Sequence, residues 1–410
     1  MDLIIGAGIT GLSYAAYTKN DYLIVEKDST PGGYCRTIKQ DGFVWDYSGH
    51  FFHFQDEEIK SDVMGNIPEE HILSVTKHTQ IKYKESMIDY PFQKNIHQLP
   101  KDEFIDCLYD LFRNTHTSEA TFKQMLFKKF GESIANKFLI PYNEKLYACD
   151  LDTLDVDAMG RFFPYADKEE IIANFRPSVE NSYNAKFLYP KGGAVEYVES
   201  ICKNVDQSKI LYNEYILAVD IDNKVVQTNK REIRYDNLIS TIPFPQLLKL
   251  TGIKYNSSLY TCNKVLVFNI GFNKKGRDIV NNWIYYPENK YSFYRVGCYD
   301  NIYASDRLSV YVELGFKEND EIDVAAEYEK VLLDLKEAGL ISDHKVVSYC
   351  TLIMNPAYVH ITSEMEDDKK QKMELLSQDD IYSIGRYGSW IYCSIEDNIK
   401  QAKNLAIKLS

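Results

Sequence analysis

No stretch of the 410 residues approaches the length of a membrane-spanning helix, which argues against membrane insertion. No CxxC pair and no His/Cys spacing of the zinc-binding kind occurs, so the eight cysteines read as scattered, reduced thiols and no metal is indicated. Basic stripes are missing as well. A net charge of -13 with nothing positive enough to track phosphates excludes a nucleic-acid partner. Proline is sparse, at 12 residues, no tandem repeat or low-complexity linker is visible, and 45% apolar content leaves no room for a long disordered tail. Asp2 stands where a secretory signal would carry positive charge, so a cytoplasmic location is expected. Arginines are few beside the lysines. One flanked by glycine and aromatic residues therefore stands out as a bidentate anion ligand, and Arg36, Arg295 and Arg386 fit that description.

What is present begins at once. A short apolar strand runs into Gly6-Ala7-Gly8-Ile9-Thr10-Gly11, and the next strand ends in Leu23-Ile24-Val25-Glu26. Gly6 permits the tight bend, Gly8 lets backbone approach a pyrophosphate, and Gly11 lets the helix lie against the strand. Glu26 is placed to accept the hydroxyls of an adenosine ribose, and it would repel a 2'-phosphate. Behind it, Pro31-Gly32-Gly33-Tyr34-Cys35-Arg36 resembles the FAD-binding extension of amine-oxidase-like flavoproteins. Glycines there let the chain pass a bulky cofactor, and Arg36 is expected to reach its diphosphate.

Two or three packed units are expected from the length. Strand signals occur at His78–Tyr83 and Met87–Phe92, and helical periodicity runs from Lys101 to about Lys168, with Phe104, Ile105, Leu108, Leu111 and Phe112 on one face. Further strands are read at Phe187–Pro190, Val265–Ile270, Trp283–Tyr286, Tyr291–Val296 and Leu308–Leu314. The end of the chain reads as a strand from Ile381, a glycine loop, and a helix with Ile395, Ile399, Ala402, Leu405 and Leu409 on a core-facing stripe. The expected fold is α/β: a Rossmann-like FAD-binding domain from residues 1–71, 187–245 and 353–410, an inserted helical domain at 101–175, and an antiparallel β-sheet substrate domain at 72–100 and 246–352.

Five segments in order carry a more specific resemblance. They are Ser48-Gly49-His50, Asp89-Tyr90-Pro91-Phe92-Gln93-Lys94-Asn95-Ile96, Ile140-Pro141-Tyr142-Asn143-Glu144-Lys145, Trp283-Ile284-Tyr285-Tyr286-Pro287-Glu288-Asn289 with Ser292-Phe293-Tyr294-Arg295, and Gly385-Arg386-Tyr387-Gly388-Ser389-Trp390-Ile391-Tyr392. Together they resemble the UDP-galactopyranose mutase family, nearest its eukaryotic-type branch. That resemblance implies an isomerase without net redox change, in which FAD reduced by NADPH or NADH offers N5 to the anomeric carbon of a UDP-sugar and the ring recloses as a furanose. It implies catalytic roles for His50, beside the isoalloxazine, and for Arg295, on the diphosphate. It places Tyr358 and Tyr392 beside Arg295, Tyr90 and Asn95 at the mouth, and Trp283 and Tyr285 on the uracil or nicotinamide side. It places Gly49, Gly385 and Arg386 next to the flavin, where a helix N-terminus would add amide groups.

Some positions depart from that pattern. Leu188 occupies a position where a second family arginine is expected, with Lys191 the candidate replacement; a lysine brings charge without the bidentate fork. Ser48 stands where glycine is usual, and Gln55 near a position that can hold histidine, which leaves nicotinamide binding open. Oligomeric state is not implied, with a homo-oligomer among the options. UDP-galactose is the default substrate, with N-acetylated, 6-deoxy or pentose relatives as competitors. An amine or porphyrinogen oxidase and a non-catalytic flavin-binding protein remain the alternatives.

Overall fold

The computed structural model describes residues 1–52, 54–176 and 186–410. Its organising element is a five-stranded parallel sheet in the order Ile381–Ser383, Asn237–Ser240, Asp2–Ile5, Tyr22–Val25, Ile210–Leu211. Strands from three distant parts of the chain thus meet in one sheet. Parallel strands need both faces covered, and the strand Asp2–Ile5 is accordingly buried at all four positions. On one face the helix Ile9–Tyr17 packs with the helix Ile395–Leu409, burying Leu12, Ile24, Ile239, Ile399 and Ala402 completely. Each aliphatic side chain of that size contributes roughly 1.5–3 kcal/mol. The expected stripe on the last helix is therefore core.

A seven-stranded sheet forms the second layer, ordered Val346–Met354, Asn263–Phe272, Ser309–Lys317, Arg295–Cys298, Trp283–Tyr285, Thr79–Tyr83, Ser86–Asp89. It is mixed rather than antiparallel throughout, because Trp283–Tyr285 pairs in parallel with Thr79–Tyr83. The expected strand over Tyr291–Val296 shortens to Arg295–Cys298, since residues up to Tyr294 sit in the connection from Tyr285. Likewise the strand expected to reach Phe92 stops at Asp89, and Phe92–Lys94 is a 3-10 turn. A small antiparallel pair, Ile72–Thr76 with Lys186–Pro190, bridges the layers; its register sets Ile72 against Pro190 and Thr76 against Lys186.

The insertion is helical at Lys101–Phe112, Phe122–Ile134 and Ile140–Tyr147, with a π turn at Ala135–Leu139 and a later helix at Lys168–Ala173. Its first helix does not present one apolar face. Cys107 and Leu111 are buried, while Ile105 and Phe112 point outward, 49% and 52% exposed. Residues from Leu151 to Phe163 form short turns instead of the continuous helix the periodicity predicts.

Candidate functional site

At the first βα turn, Gly6 takes φ +100° beneath Thr241, and Gly8 pairs with Gly32 across the turn. Gly8 and Gly33 face each other so closely that a Cβ on Gly33 would lie 3.4 Å from the Gly8 Cα. The Glu26 carboxylate accepts from the amides of Ala7 (2.6 Å) and Asp28 (2.9 Å), which fixes it in a buried position with lone pairs left for hydroxyl donors. This cradle fits a dinucleotide. Arg36 does not project from it: its guanidinium bonds Asp28 (2.7 Å) and the carbonyls of Pro31 and Thr30, closing its own loop. The glycine loop after Ile381–Ser383 is one helical turn, Gly385–Gly388. Its first two amides are taken by Gln401 (2.9 Å) and Asn398 (2.7 Å), so they are not the free helix N-terminus expected. Asn398 also accepts from Thr10 of the first helix (2.9 Å), tying both ends of the cradle together.

Between the two sheets lies a cluster of rings around two arginines. Arg295, at the start of its strand, gives Nε (2.6 Å) and Nη2 (2.8 Å) to Glu313 on the neighbouring strand, its partner in register. Glu313 is 1% exposed, and the Ser48 hydroxyl donates to it as well. Three guanidinium hydrogens remain. Arg386 donates to the carbonyls of Cys393 (3.0 Å) and Ala357 (3.3 Å) and lies over the rings of Tyr392, Tyr358 and Tyr387 at 4.7, 5.5 and 5.8 Å. Tyr358 and Tyr392 stack at 5.8 Å, and Tyr285 stands 5.0 Å from both Tyr90 and Tyr142. Trp283 donates its indole N–H to the Tyr285 oxygen (2.9 Å) and stacks on Phe51 at 5.1 Å.

Tyr358, Tyr90 and Tyr285 stay protonated. Burial raises the pKa of Tyr358, Tyr90 and Tyr285, opposed in each by the Arg295 charge. Among the described residues the hydroxyls of Tyr90, Tyr358 and Tyr392 have no hydrogen-bond partner, and the Tyr294 hydroxyl is buried without one. Such a set of fixed, unspent donors beside two guanidinium groups is what an anionic ligand requires.

His50 donates from Nδ1 to the Ser48 carbonyl (2.8 Å), leaving Nε2 as an acceptor. Burial pulls its pKa down to about 4, with Arg295 and Arg386 acting in the same direction and Glu313 against. The sign follows. The folded value lies below the unfolded value of roughly 6.5, so the native state binds fewer protons than the unfolded chain between those limits, and stability drains as pH falls from 6.5 towards 4. Urea titrations of wild type and His50→Gln at several pH values should show the wild type losing ground across that window; parallel curves would contradict it.

Three expected residues are not brought to this cluster. Asn95 is used at the helical insertion, bonding Pro91 (3.0 Å) and Asn174 (3.2 Å). Leu188 packs into the nucleotide-side core. Lys191 is exposed beyond Pro190, at the end of the small β pair away from Phe187, the residue 6.1 Å from Trp283; a five-residue strand puts the two ends about 15 Å apart. Gly49 is explained by packing, since a Cβ there would strike the Tyr311 hydroxyl. Gln55 bonds Arg161 (2.7 Å), which in turn grips Asp397 at the start of the last helix.

Sequence reasoning missed Glu313, Lys77 and Lys145. Lys145 directs its ammonium at the carbonyls of Tyr286 (2.8 Å), Glu288 (3.1 Å), Tyr291 (3.0 Å) and Phe293 (2.5 Å), closing the connection that carries Tyr285 at one end and Arg295 at the other. Lys145→Met should cost about 3 kcal/mol or more, because it strands buried carbonyls. Urea unfolding midpoints would show it.

A family profile described as an NAD(P)-binding Rossmann-like domain matches residues 4–64. Over 292 residues the chain is 23% identical to coproporphyrinogen III oxidase of Staphylococcus aureus (strain NCTC 8325 / PS 47), a match covering 61% of this chain and 62% of that protein. The chain thus spans about three fifths of the length of that curated relative. A solved structure of reduced UDP-galactopyranose mutase superposes with a TM-score of 0.92 at 24% identity, covering 100% of this chain and 94% of the other. The chain has the fold of UDP-galactopyranose mutase. A putative protoporphyrinogen oxidase from Exiguobacterium sp. 255-15 follows at 0.79 and 17% identity, covering 100% and 98%. Cyclohexylamine oxidase from Brevibacterium oxydans IH-35A gives 0.70 at 12%, covering 100% and 99%. All three superpositions extend over the whole of this chain. No helix among the described residues is long and apolar enough to cross a membrane.

Proposed function

We propose that the protein is an FAD-dependent mutase that interconverts pyranose and furanose forms of a UDP-sugar, with UDP-galactose the default substrate and NADPH or NADH the reductant. One observation carries this reading: two arginines sit beside the dinucleotide cradle together with three phenols that have no hydrogen-bond partner among the described residues, a donor set suited to a pyrophosphate and of no use to a neutral amine. FAD held here would, in its reduced form, supply a nucleophilic N5 for the anomeric carbon. The chain's own work is binding and positioning. Glu26 and the facing glycines hold the adenosine end, and Arg295, locked bidentately on Glu313, turns its remaining hydrogens to the leaving pyrophosphate. Tyr358 and Tyr392 donate to the same oxygens, and Trp283, Phe51 and Tyr285 form a wall that keeps water from the reacting sugar. His50 keeps Nε2 unprotonated at neutral pH, available to accept a proton from a sugar hydroxyl.

The competing reading, a porphyrinogen oxidase, is favoured by the Staphylococcus aureus relative. The purified holoprotein, reduced anaerobically with dithionite, should convert UDP-galactose or a close analogue into a chromatographically distinct furanose without consuming reductant. Nucleotide sugars returned unchanged, with peroxide produced from an amine or a porphyrinogen when the oxidised protein is assayed in air, would overturn the proposal.

A further inference from the structure

We propose that Lys77 supplies a second cation to the phosphate oxygens of the nucleotide-sugar substrate. The inference rests on the function proposed above. Lys77 follows the strand Ile72–Thr76 and precedes Thr79–Tyr83, at the crossing from the small β pair into the large sheet. This is the Lys186 and Phe187 end of the pair, opposite to Lys191. Its Nζ lies 5.6 Å from the Trp283 ring centroid and 6.0 Å from that of Tyr90, and Tyr90 stands 5.0 Å from Tyr285.

The position is built, not incidental. The turn is fixed on both sides: the His78 amide donates to Asn282 Oδ1 (2.8 Å), the Asn282 amide donates back to the His78 carbonyl (2.9 Å), and the His78 ring bonds Asn281 (2.9 Å). The chain carries 60 acidic residues against 47 basic ones, yet among the described residues none pairs with Lys77. Burial alone acts on its pKa, downward, with no anion pushing the other way. Lys77 is half-buried; a partly desolvated ammonium without an acceptor is costly, and a ring face offsets only about 0.5–2 kcal/mol of that. Among the described residues its three hydrogens therefore lack acceptors, beside the rings of Tyr90 and Trp283. Arg295 stands opposite Tyr285 in register on the neighbouring strand, and its charge opposes the burial that raises the Tyr90 and Tyr285 phenols. A ligand with adjacent phosphates meets both cations.

The test is titration of UDP and uridine into the FAD-loaded protein, for wild type, Lys77→Met and Lys77→Arg, followed by the flavin absorbance. Lys77→Met should weaken UDP about tenfold or more, the scale of one charge-assisted hydrogen bond. Uridine should change less than about twofold, and Lys77→Arg should restore UDP binding. Equal UDP affinity in wild type and Lys77→Met overturns the inference and leaves the mutase reading standing. A parallel loss for uridine overturns it as a packing defect. So does the same loss in Lys191→Met with none in Lys77→Met. Slower reduction by NADPH at unchanged UDP affinity assigns the cation to the reductant and also overturns it. A wild-type protein that binds no UDP removes both this inference and the function beneath it.

Discussion

Arg295→Ala is expected to lower turnover of the UDP-sugar by about 100- to 1,000-fold, the loss seen when one preorganised donor to developing negative charge is removed. The structure adds a second consequence. Glu313 is 1% exposed and spends both oxygens on Arg295, so truncation leaves a buried carboxylate with only the Ser48 hydroxyl. Removing one partner of a buried pair costs roughly 3–5 kcal/mol. Two readouts separate the effects: steady-state kinetics at saturating substrate and urea unfolding. The double variant Arg295→Met with Glu313→Leu should recover much of the stability while turnover stays low. Arg113, exposed at the end of the first insertion helix, is the control, and Arg113→Ala should change neither. Full turnover by Arg295→Ala would remove the arginine from the proposed site.

The other large effect concerns cofactor retention. Gly11 lies inside the first helix where a Cβ would run into the Gly6 carbonyl and meet the Ile4 side chain at 3.1 Å. Gly11→Ala therefore has to push helix and turn apart, where backbone must approach a diphosphate. The variant should purify colourless, or with flavin affinity reduced by about two orders of magnitude, corresponding to roughly 2.8 kcal/mol. Gly339→Ala is the matched comparison. Gly339, unlike Gly11, takes a positive φ, +80°, and nothing lies within 4 Å of its added Cβ, so about 1 kcal/mol of strain should appear in stability and none in flavin content. Equal flavin occupancy in both variants would contradict the cradle.

How much of this was legible in the sequence depended on whether a residue's role was local. The dinucleotide turn is a local object, with strand, glycines, helix and acid lying within 26 residues, and the structure places Glu26 on the turn's own amides. The ring cluster was legible as residues but not as an arrangement: Arg295, Arg386, Tyr285, Tyr358 and Tyr392 come together from four segments, and only the resemblance to a known family grouped them. Glu313 could not be singled out, because an alternating strand makes an inward acid look like any other polar position until the register is known. Lys77 lies in a polar stretch, Val75-Thr76-Lys77-His78-Thr79, that reads as an exposed turn; only the parallel pairing of Thr79 with Trp283 brings it over an indole. Lys191 failed for a related reason, since one strand length separates it from the site. The helix Lys101–Phe112 shows periodicity misjudged by one column, because Ile105 and Phe112 sit at the boundary of the apolar stripe.

The bond from Thr10 to Asn398, and the hold of Gln401 and Asn398 on the glycine turn, have a bearing on biogenesis. Residues 1–33 carry the dinucleotide-binding turn, yet Asn398, which Thr10 bonds, lies almost 390 positions downstream. Contacts of such sequence separation form late. A nascent chain would therefore carry the nucleotide motif long before the residues that clamp its turn were available to it.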